Sequence, residues 1–416
     1  MPKNPFASPT FISKWLESFE PNSKAISFPG ISGVRFTKGP WPFTWVNVGK
    51  NLTKGIFYSL ENRMFSRLGN KVLLIYDVPT YSEESIAPLK KDIGRHRIKQ
   101  YPGYRLNLET FTSLDDYMKS ISKARRNKLR KYCVRLEHSC DISYRMYHGA
   151  IGKKEYDTLF THFNELLEKR FSDKKEHNHN LDPKEWAFYR KMAYPMIKEK
   201  RAALFVIYDK KVPIGIALTY VHRKGLLGGI TTFDIAYSSF NLGSVLLLKQ
   251  VEWCLREDFE FFDFSKGDYE YKRRWGNLTY DFEYHLIYDK KKILPATIAC
   301  AIKWYLKLKQ LLRENEVHTL FHRLVYRLAP KETKSRARQK GKIELLDDLS
   351  DKIWPDEWIS VEKTSQEFKA LRPLIYHLLF SHQEKYTDIT VFGIEKDPGL
   401  FLLKGLNFLK MARLQQ

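Results

Sequence analysis

Apolar positions along this chain recur with two periods, and the switch between them marks out a series of alternating helices and strands. Phe11, Trp15, Leu16 and Phe19 fall on one helical face after a capping-type Ser8-Pro9-Thr10 start. Pro29-Gly30 and Gly39-Pro40-Trp41-Pro42 interrupt the chain, and a helix is expected from Ile56 to Leu68, ending at Gly69. Val72-Leu73-Leu74-Ile75-Tyr76-Asp77-Val78-Pro79 is the clearest strand of this half.

From Ser113 to Glu137 the period is helical. Ile121, Leu129, Tyr132, Cys133 and Leu136 face one side, and Lys123, Arg125, Arg126, Lys128, Arg130, Lys131 and Arg135 the other. A further helix is expected from Tyr156 to Phe171, then a polar loop from Ser172 to Leu181. Leu204–Tyr208 and Val212–Tyr220 read as a hairpin around Asp209-Lys210-Lys211, with a third strand from Gly225 to Asp234. A Ser/Gly loop, Ser238 to Ser244, leads into a helix through Val251, Trp253, Cys254 and Leu255, followed by the aromatic strand Phe259–Phe264. This alternation argues for an α/β or α+β layer rather than a bundle or a sandwich.

Beyond Asp289 the character changes. A long amphipathic segment interleaves Ile302, Trp304, Tyr305, Leu308, Leu311, Leu312, Leu320, Phe321, Leu324, Val325 and Leu328 with Lys303, Lys307, Lys309, Arg313, Arg323 and Arg327. Its apolar side fits either docking on the body or contact with an anionic lipid surface. Residues 330–342 read as a basic linker, and 343–416 as a small appended α/β piece containing the strand Ile389–Phe392.

The 416 residues hold 71 Lys and Arg against 48 Asp and Glu, a net charge of +23 that draws the chain toward anionic partners. Apolar residues make up 43%, which suits a folded core rather than disorder. Cys133, Cys140, Cys254 and Cys300 form no Cys-x-x-Cys pair and read as reduced core residues. His177 and His179 have no Cys or carboxylate at supporting spacing, so no metal is expected. Neither a signal peptide nor a run long enough to span a bilayer is visible, so the expected location is cytoplasmic, with peripheral contact at the inner membrane face as an option.

The densest chemistry lies in Phe261–Gly276, FFDFSKGDYEYKRRWG. Asp263, Phe264, Gly267, Asp268, Tyr271, Lys272, Arg273, Arg274 and Trp275, together with the upstream Ser239, Gly243, Val245 and Leu246, resemble two motifs of the GNAT-fold acyltransferases. The likeness is to the branch named after the CelD protein of cellulose-biosynthesis operons, and it covers roughly Pro5 to Asp289. The loop also resembles that of Fem-type peptidoglycan aminoacyltransferases, which pair two GNAT-like units and use aminoacyl-tRNA. The loop here is poorer in Arg and Gly than the GNAT family's usual phosphate loop.

Acyl transfer from coenzyme A requires a seat for a diphosphate and a polarised thioester carbonyl. Free N–H groups at a helix start provide the first without side-chain charge, and Ser239, Asn241, Leu242, Gly243, Ser244 and Val245 occupy that place. For the chemistry, Asp234 and Asp263 are the candidate proton acceptors, Tyr269, Tyr271 and His285 the candidate donors, and Lys272 the candidate charge clamp. Asp268, Tyr269, Arg273 and Arg274 are assigned to substrate binding. Asp263 has a purely structural alternative, as a cap or as the ion-pair partner of Lys272.

Taken together, the sequence reads as an α/β (α+β) protein of two tandem GNAT-like units with mixed sheets flanked by helices. The expected divisions are 1–145 (degenerate, substrate-shaping), 146–289 (the acyltransferase unit), 290–342 (a basic amphipathic helix and linker) and 343–416. The expected activity is transfer of an acyl group from acyl-CoA, used as co-substrate without a metal, to an unidentified amine or hydroxyl acceptor. The envelope, polysaccharide or lipid setting comes from the resemblance alone. Two rivals stand beside it: a Fem-like tRNA-dependent aminoacyltransferase and a non-catalytic protein that kept the fold.

Overall fold

A computed structural model describes residues 4–60, 68–82, 92–174, 179–314, 343–346, 358–395 and 397–414. In chain order the strands are β1 (Ile31–Ser32), β2 (Phe36–Lys38), β3 (Thr44–Asn47), β4 (Ser59–Leu60), β5 (Val72–Pro79), β6 (Ile93–Asn107), β7 (Ile142–Tyr147), β8 (Ala202–Asp209) and β9 (Val212–His222). They continue with β10 (Gly225–Phe233), β11 (Phe261–Lys266), β12 (Leu278–Asp289), β13 (Ile343–Leu346), β14 (Trp358–Ser360), β15 (Thr390–Ile394), β16 (Asp397–Lys404) and β17 (Leu409–Leu414).

Ten of these make one mixed sheet in the order β2-β3-β5-β12-β6-β11-β10-β9-β8-β7. Two neighbouring pairs, β3 with β5 and β10 with β11, are parallel; the other neighbours are antiparallel. β12 lies between β5 and β6, so a strand late in the chain completes a layer begun near the start. Residue 145 falls inside β7, and the two halves share this continuous sheet.

Helices cover both faces, which explains the nearly unbroken burial along β8 and β9. On one face Phe11, Trp15, Phe160, Phe163, Phe188 and Met192 join the core of helices Pro9–Phe19, Lys153–Lys174 and Pro183–Lys198. On the other, Leu129 of helix Lys123–Ser139 and Leu248, Val251 and Cys254 of helix Leu242–Arg256 pack over Phe262 and Phe264. Ser122 starts the first of these two helices by accepting the Arg125 N–H.

Helix Ile293–Glu314 lays Ala299, Ile302 and Leu306 against β5, β6 and β12. Its other side leaves Trp304, Tyr305, Leu308 and Leu312 exposed, so both docking and an open apolar face occur on one helix. Leu320, Phe321, Leu324, Val325, Leu328 and the 330–342 linker lie outside the described residues. The C-terminal piece is a five-stranded antiparallel sheet, β13-β17-β16-β15-β14, carrying helix Gln366–His382.

Two expectations are corrected. The start of the expected Ile56–Leu68 helix is not helical: Ser59–Leu60 pairs with Ile31–Ser32, because Ile56, Phe57 and Tyr58 are drawn into the core and Tyr58 Oη meets His285 Nδ1 at 2.6 Å, while residues 61–67 lie outside the described residues. Of the cysteines, Cys140 and Cys254 are buried, Cys133 is half-buried, and Cys300 is exposed on the outer side of its helix. No described helix is long and apolar enough to cross a membrane.

Candidate active site

The site begins with a defect in the sheet. Parallel pairing of β10 with β11 lasts only from Gly225–Phe261 to Leu227–Asp263. Immediately beyond, β10 bulges against β9: Gly228 pairs with Thr219 and Ile230 with Leu218, leaving Gly229 outside the ladder. Space excludes a Cβ on Gly229, which would sit 2.6 Å from the Leu218 carbonyl oxygen, and leaves little room for one on Gly228, 3.2 Å from that of Asp263. The strands part here, and a cavity of about 310 Å³ opens between them and helix Leu242–Arg256.

The mouth of the cavity is the start of that helix. Asp234 follows β10, and its carboxylate accepts the Ala236 N–H, beginning a short 3-10 turn that ends at Asn241 in the left-handed region (φ +49°). Helix Leu242–Arg256 then starts without a side-chain cap. The N–H groups of Ser244 and Val245 return to the Asn241 carbonyl, whereas those of Leu242 and Gly243 stand in the first turn, where no intrahelical acceptor exists. Gly243 is pressed on Phe233, whose ring would be 2.9 Å from an added Cβ and carries the Arg170 guanidinium at 4.2 Å. Arg170 also donates to the Thr231 carbonyl, fixing a cation at the rim.

The sequence-derived cofactor set therefore divides. Asn241, Gly243 and Ser244 line the cavity. Leu242 and Val245 bury their side chains against the C-terminal piece, leaving only their backbone to the loop. Ser239 meets His377 at 3.2 Å, and Asp234 is paired with Arg372 at 3.0 Å, both on helix Gln366–His382.

Alternation along β11 sends Phe262 and Phe264 to the cavity and Asp263 to the opposite face. There Asp263 is fully buried and accepts from Tyr280 Oη, Tyr81 Oη and the Ser265 N–H, each at 2.7 Å. Burial raises its carboxyl above the ordinary range, against the pull of these hydrogen bonds and of Lys272. The next turn, with Ser265 at φ +62° and Gly267 at +104°, folds Lys272 inward. Lys272 is 4% exposed, and its Nζ donates to the carbonyls of Lys266 (2.6 Å) and Ser265 (3.1 Å) below the Tyr269 ring. Burial brings its ammonium down to about 7.

Around this pair the side chains are outward-facing. Tyr269 is 59% exposed, Tyr271 is part-exposed at the cavity rim, and Asp268 accepts from Tyr104 Oη at 2.6 Å while Arg273 stands 3.5 Å away. Arg274 pairs with Glu270 one turn earlier. Asp263 and Lys272 thus share one cluster, and Tyr271 shares the cavity with Gly243. His285 is buried elsewhere, between Tyr58 and Glu283.

Sequence reasoning passed over Gly228-Gly229, Arg170, Gln250, Tyr81 and Tyr280. The paired glycines inside a strand were the one signal available, since such pairs mark bulges or close approach. The basic helix looks different in three dimensions. Arg125 lies over Trp275 at 4.8 Å, Arg126 donates to the Met118 carbonyl, Arg130 pairs with Asp115, and Arg135 donates to the Phe380 carbonyl. Among the described residues no group of three or more His, Cys, Asp or Glu could hold a metal; His177 lies outside them.

With this geometry in hand, comparisons place the region among known proteins. Residues 123–273 match the family described as acetyltransferase (GNAT) domain. Among solved structures, FemX is similar at 10% identity, covering 67% of this chain and 91% of that one, with a TM-score of 0.45. A conserved protein of unknown function from Bacteroides thetaiotaomicron VPI-5482 is similar at 10% identity, covering 68% and 91%, with a TM-score of 0.44. A tandem GNAT protein from the clavulanic acid biosynthesis pathway is similar at 12% identity, covering 64% and 85%, with a TM-score of 0.34. No curated protein sequence matches the chain.

Proposed function

We propose that the protein transfers an acyl group from acyl-CoA to an amine or hydroxyl acceptor, as a tandem GNAT enzyme of the CelD-like branch. The observation that carries this reading is the parting of β10 from β11 after Leu227–Asp263, with a cavity running from the gap to an uncapped helix start. A diphosphate at the Leu242 and Gly243 N–H groups, beside Arg170, satisfies the orphan donors and the helix dipole together. The thioester then lies at the bulge, where the Gly229 N–H polarises its carbonyl.

Tyr271 lines the same cavity, so an acceptor entering past this rim reaches the same carbonyl. The acceptor nitrogen or oxygen attacks the thioester carbon, the C–S bond breaks, and coenzyme A leaves as the thiol. Lys272, poised near neutrality, takes the acceptor's proton and returns it to the sulfur. Asp263 positions Lys272 by its charge, Tyr271 and Arg273 border the entrance, and Asp268, Tyr269 and Arg274 form the rim that meets the acceptor. Asp234 positions the phosphate loop through Arg372. The site of action is the cytoplasm, with Trp304, Tyr305 and Leu308 among Lys303, Lys307 and Lys309 resting on an anionic inner membrane face.

Equilibrium titration with acetyl-CoA, longer acyl-CoAs and bulk tRNA tests the reading. Saturable acyl-CoA binding is expected. Tight, salt-sensitive tRNA binding without acyl-CoA binding would replace it with the Fem-like reading.

A further inference from the structure

The cavity between β10, β11 and helix Leu242–Arg256 ends on buried residues that include one unsatisfied polar group. Gln250 is 1% exposed, and its Nε2 donates to the Leu246 carbonyl at 3.0 Å. Its Oε1 has no hydrogen-bond partner and belongs to a side chain lining the cavity. The amide cannot be turned round, because an oxygen aimed at the Leu246 carbonyl would set two acceptors against each other. The group offered to the cavity is therefore an acceptor, and what fills it must donate. Thr219, the neighbouring buried polar wall, already donates to the Ala203 carbonyl. Gly243, Leu247 and Gln250 follow at helical spacing, so Gln250 lies on the cavity side two turns inward from the phosphate end.

We propose that the closed end of this cavity selects an acyl chain bearing a hydroxyl or amine, which donates to Gln250 Oε1. This rests on the acyl-CoA reading above. A plain hydrocarbon chain would leave a buried acceptor unpaired, whereas a chain with an O–H or N–H removes that penalty. Phe262, Phe264 and Leu247 line the rest of the wall and suit the carbon skeleton.

The test compares 3-hydroxybutyryl-CoA and β-alanyl-CoA with butyryl-CoA and free CoA by calorimetry, on wild type and Gln250→Leu. Wild type should bind the hydroxyacyl or the aminoacyl ester about tenfold more tightly than butyryl-CoA, and the variant should lose that preference while binding butyryl-CoA at least as well. Which of the two esters is preferred separates hydroxyl from amine. Equal binding of all three esters by wild type overturns the proposal but leaves acyl-CoA use intact. A Gln250→Leu loss that is the same for free CoA assigns Gln250 to the carrier arm and also overturns it. Failure of every CoA species to bind overturns both readings. The wild-type comparison needs no variant, so a folding defect in Gln250→Leu leaves the test decisive.

Discussion

Lys272 offers a prediction that needs no knowledge of the acceptor. Its ammonium is held almost wholly out of water and falls from an ordinary 10.5 to about 7 in the fold. In the unfolded chain it keeps the ordinary value, so between pH 7 and pH 10 the unfolded state binds one more proton than the native one. Stability conferred at this site is present at high pH and is lost as pH falls through that window, the sign expected for a base whose value is lowered by burial. One proton corresponds to ~1.4 kcal/mol per pH unit, or ~4 kcal/mol over three units. Replacing Lys272 with Met keeps the length and removes the titration. Guanidinium unfolding of wild type and Lys272→Met from pH 7 to pH 10 should therefore show a stability difference that shifts by ~4 kcal/mol in favour of wild type as pH rises. The difference between proteins cancels other groups that titrate in the window. Parallel pH profiles for the two proteins would mean that Lys272 is solvated like any surface lysine and would remove it from the catalytic proposal.

Three further outcomes are expected. Gly243→Asp, which sets a carboxylate against the diphosphate seat and pushes the Phe233 ring, should weaken acyl-CoA binding at least tenfold in titration while circular dichroism stays native. Tyr280→Phe strips one hydrogen bond from buried Asp263 and should lower stability by ~1–3 kcal/mol in a denaturant series, with no change if the carboxylate is already neutral and self-sufficient. Neutralising Lys123, Arg126 and Arg130 together should leave acyl-CoA affinity within about twofold, and a collapse of that affinity would transfer the phosphate site to this helix.

Much of the site was legible because the relevant residues are close in sequence. Phe261–Gly276 and Ser238–Ser244 carry their turn chemistry locally, so the strand, the Gly267 turn and the helix start could be read from periodicity and small residues. What escaped reading was long-range. Tyr81 lies 182 residues from Asp263, with which it shares a hydrogen bond, and nothing in either neighbourhood announces the other. The start of the helix expected from Ile56 shows the same limit at the fold level, since pairing of Ser59–Leu60 with Ile31–Ser32 overrode a local helical period there. Arginine spacing on helix Lys123–Ser139 suggested an open basic face, yet carbonyls of Met118 and Phe380 and the ring of Trp275 were waiting for those side chains.

The placement of β12 between β5 and β6 governs how the chain can come off the ribosome. Ile93 of β6 pairs with Asp289, so the central ladder closes only after 196 further residues have been made. At ordinary synthesis rates of about 5–20 residues per second that is a delay of roughly 10–40 s. Until then the facing edges of β5 and β6 are open templates for other strands. A nascent chain stalled before residue 278 should therefore be cleaved readily along β5 and β6 and protected once β12 has emerged; early protection would show that another segment shields them. A chain whose later half finishes the sheet begun by its earlier half is obliged to mature as a whole, and the interval before closure is when a holdase has most to do.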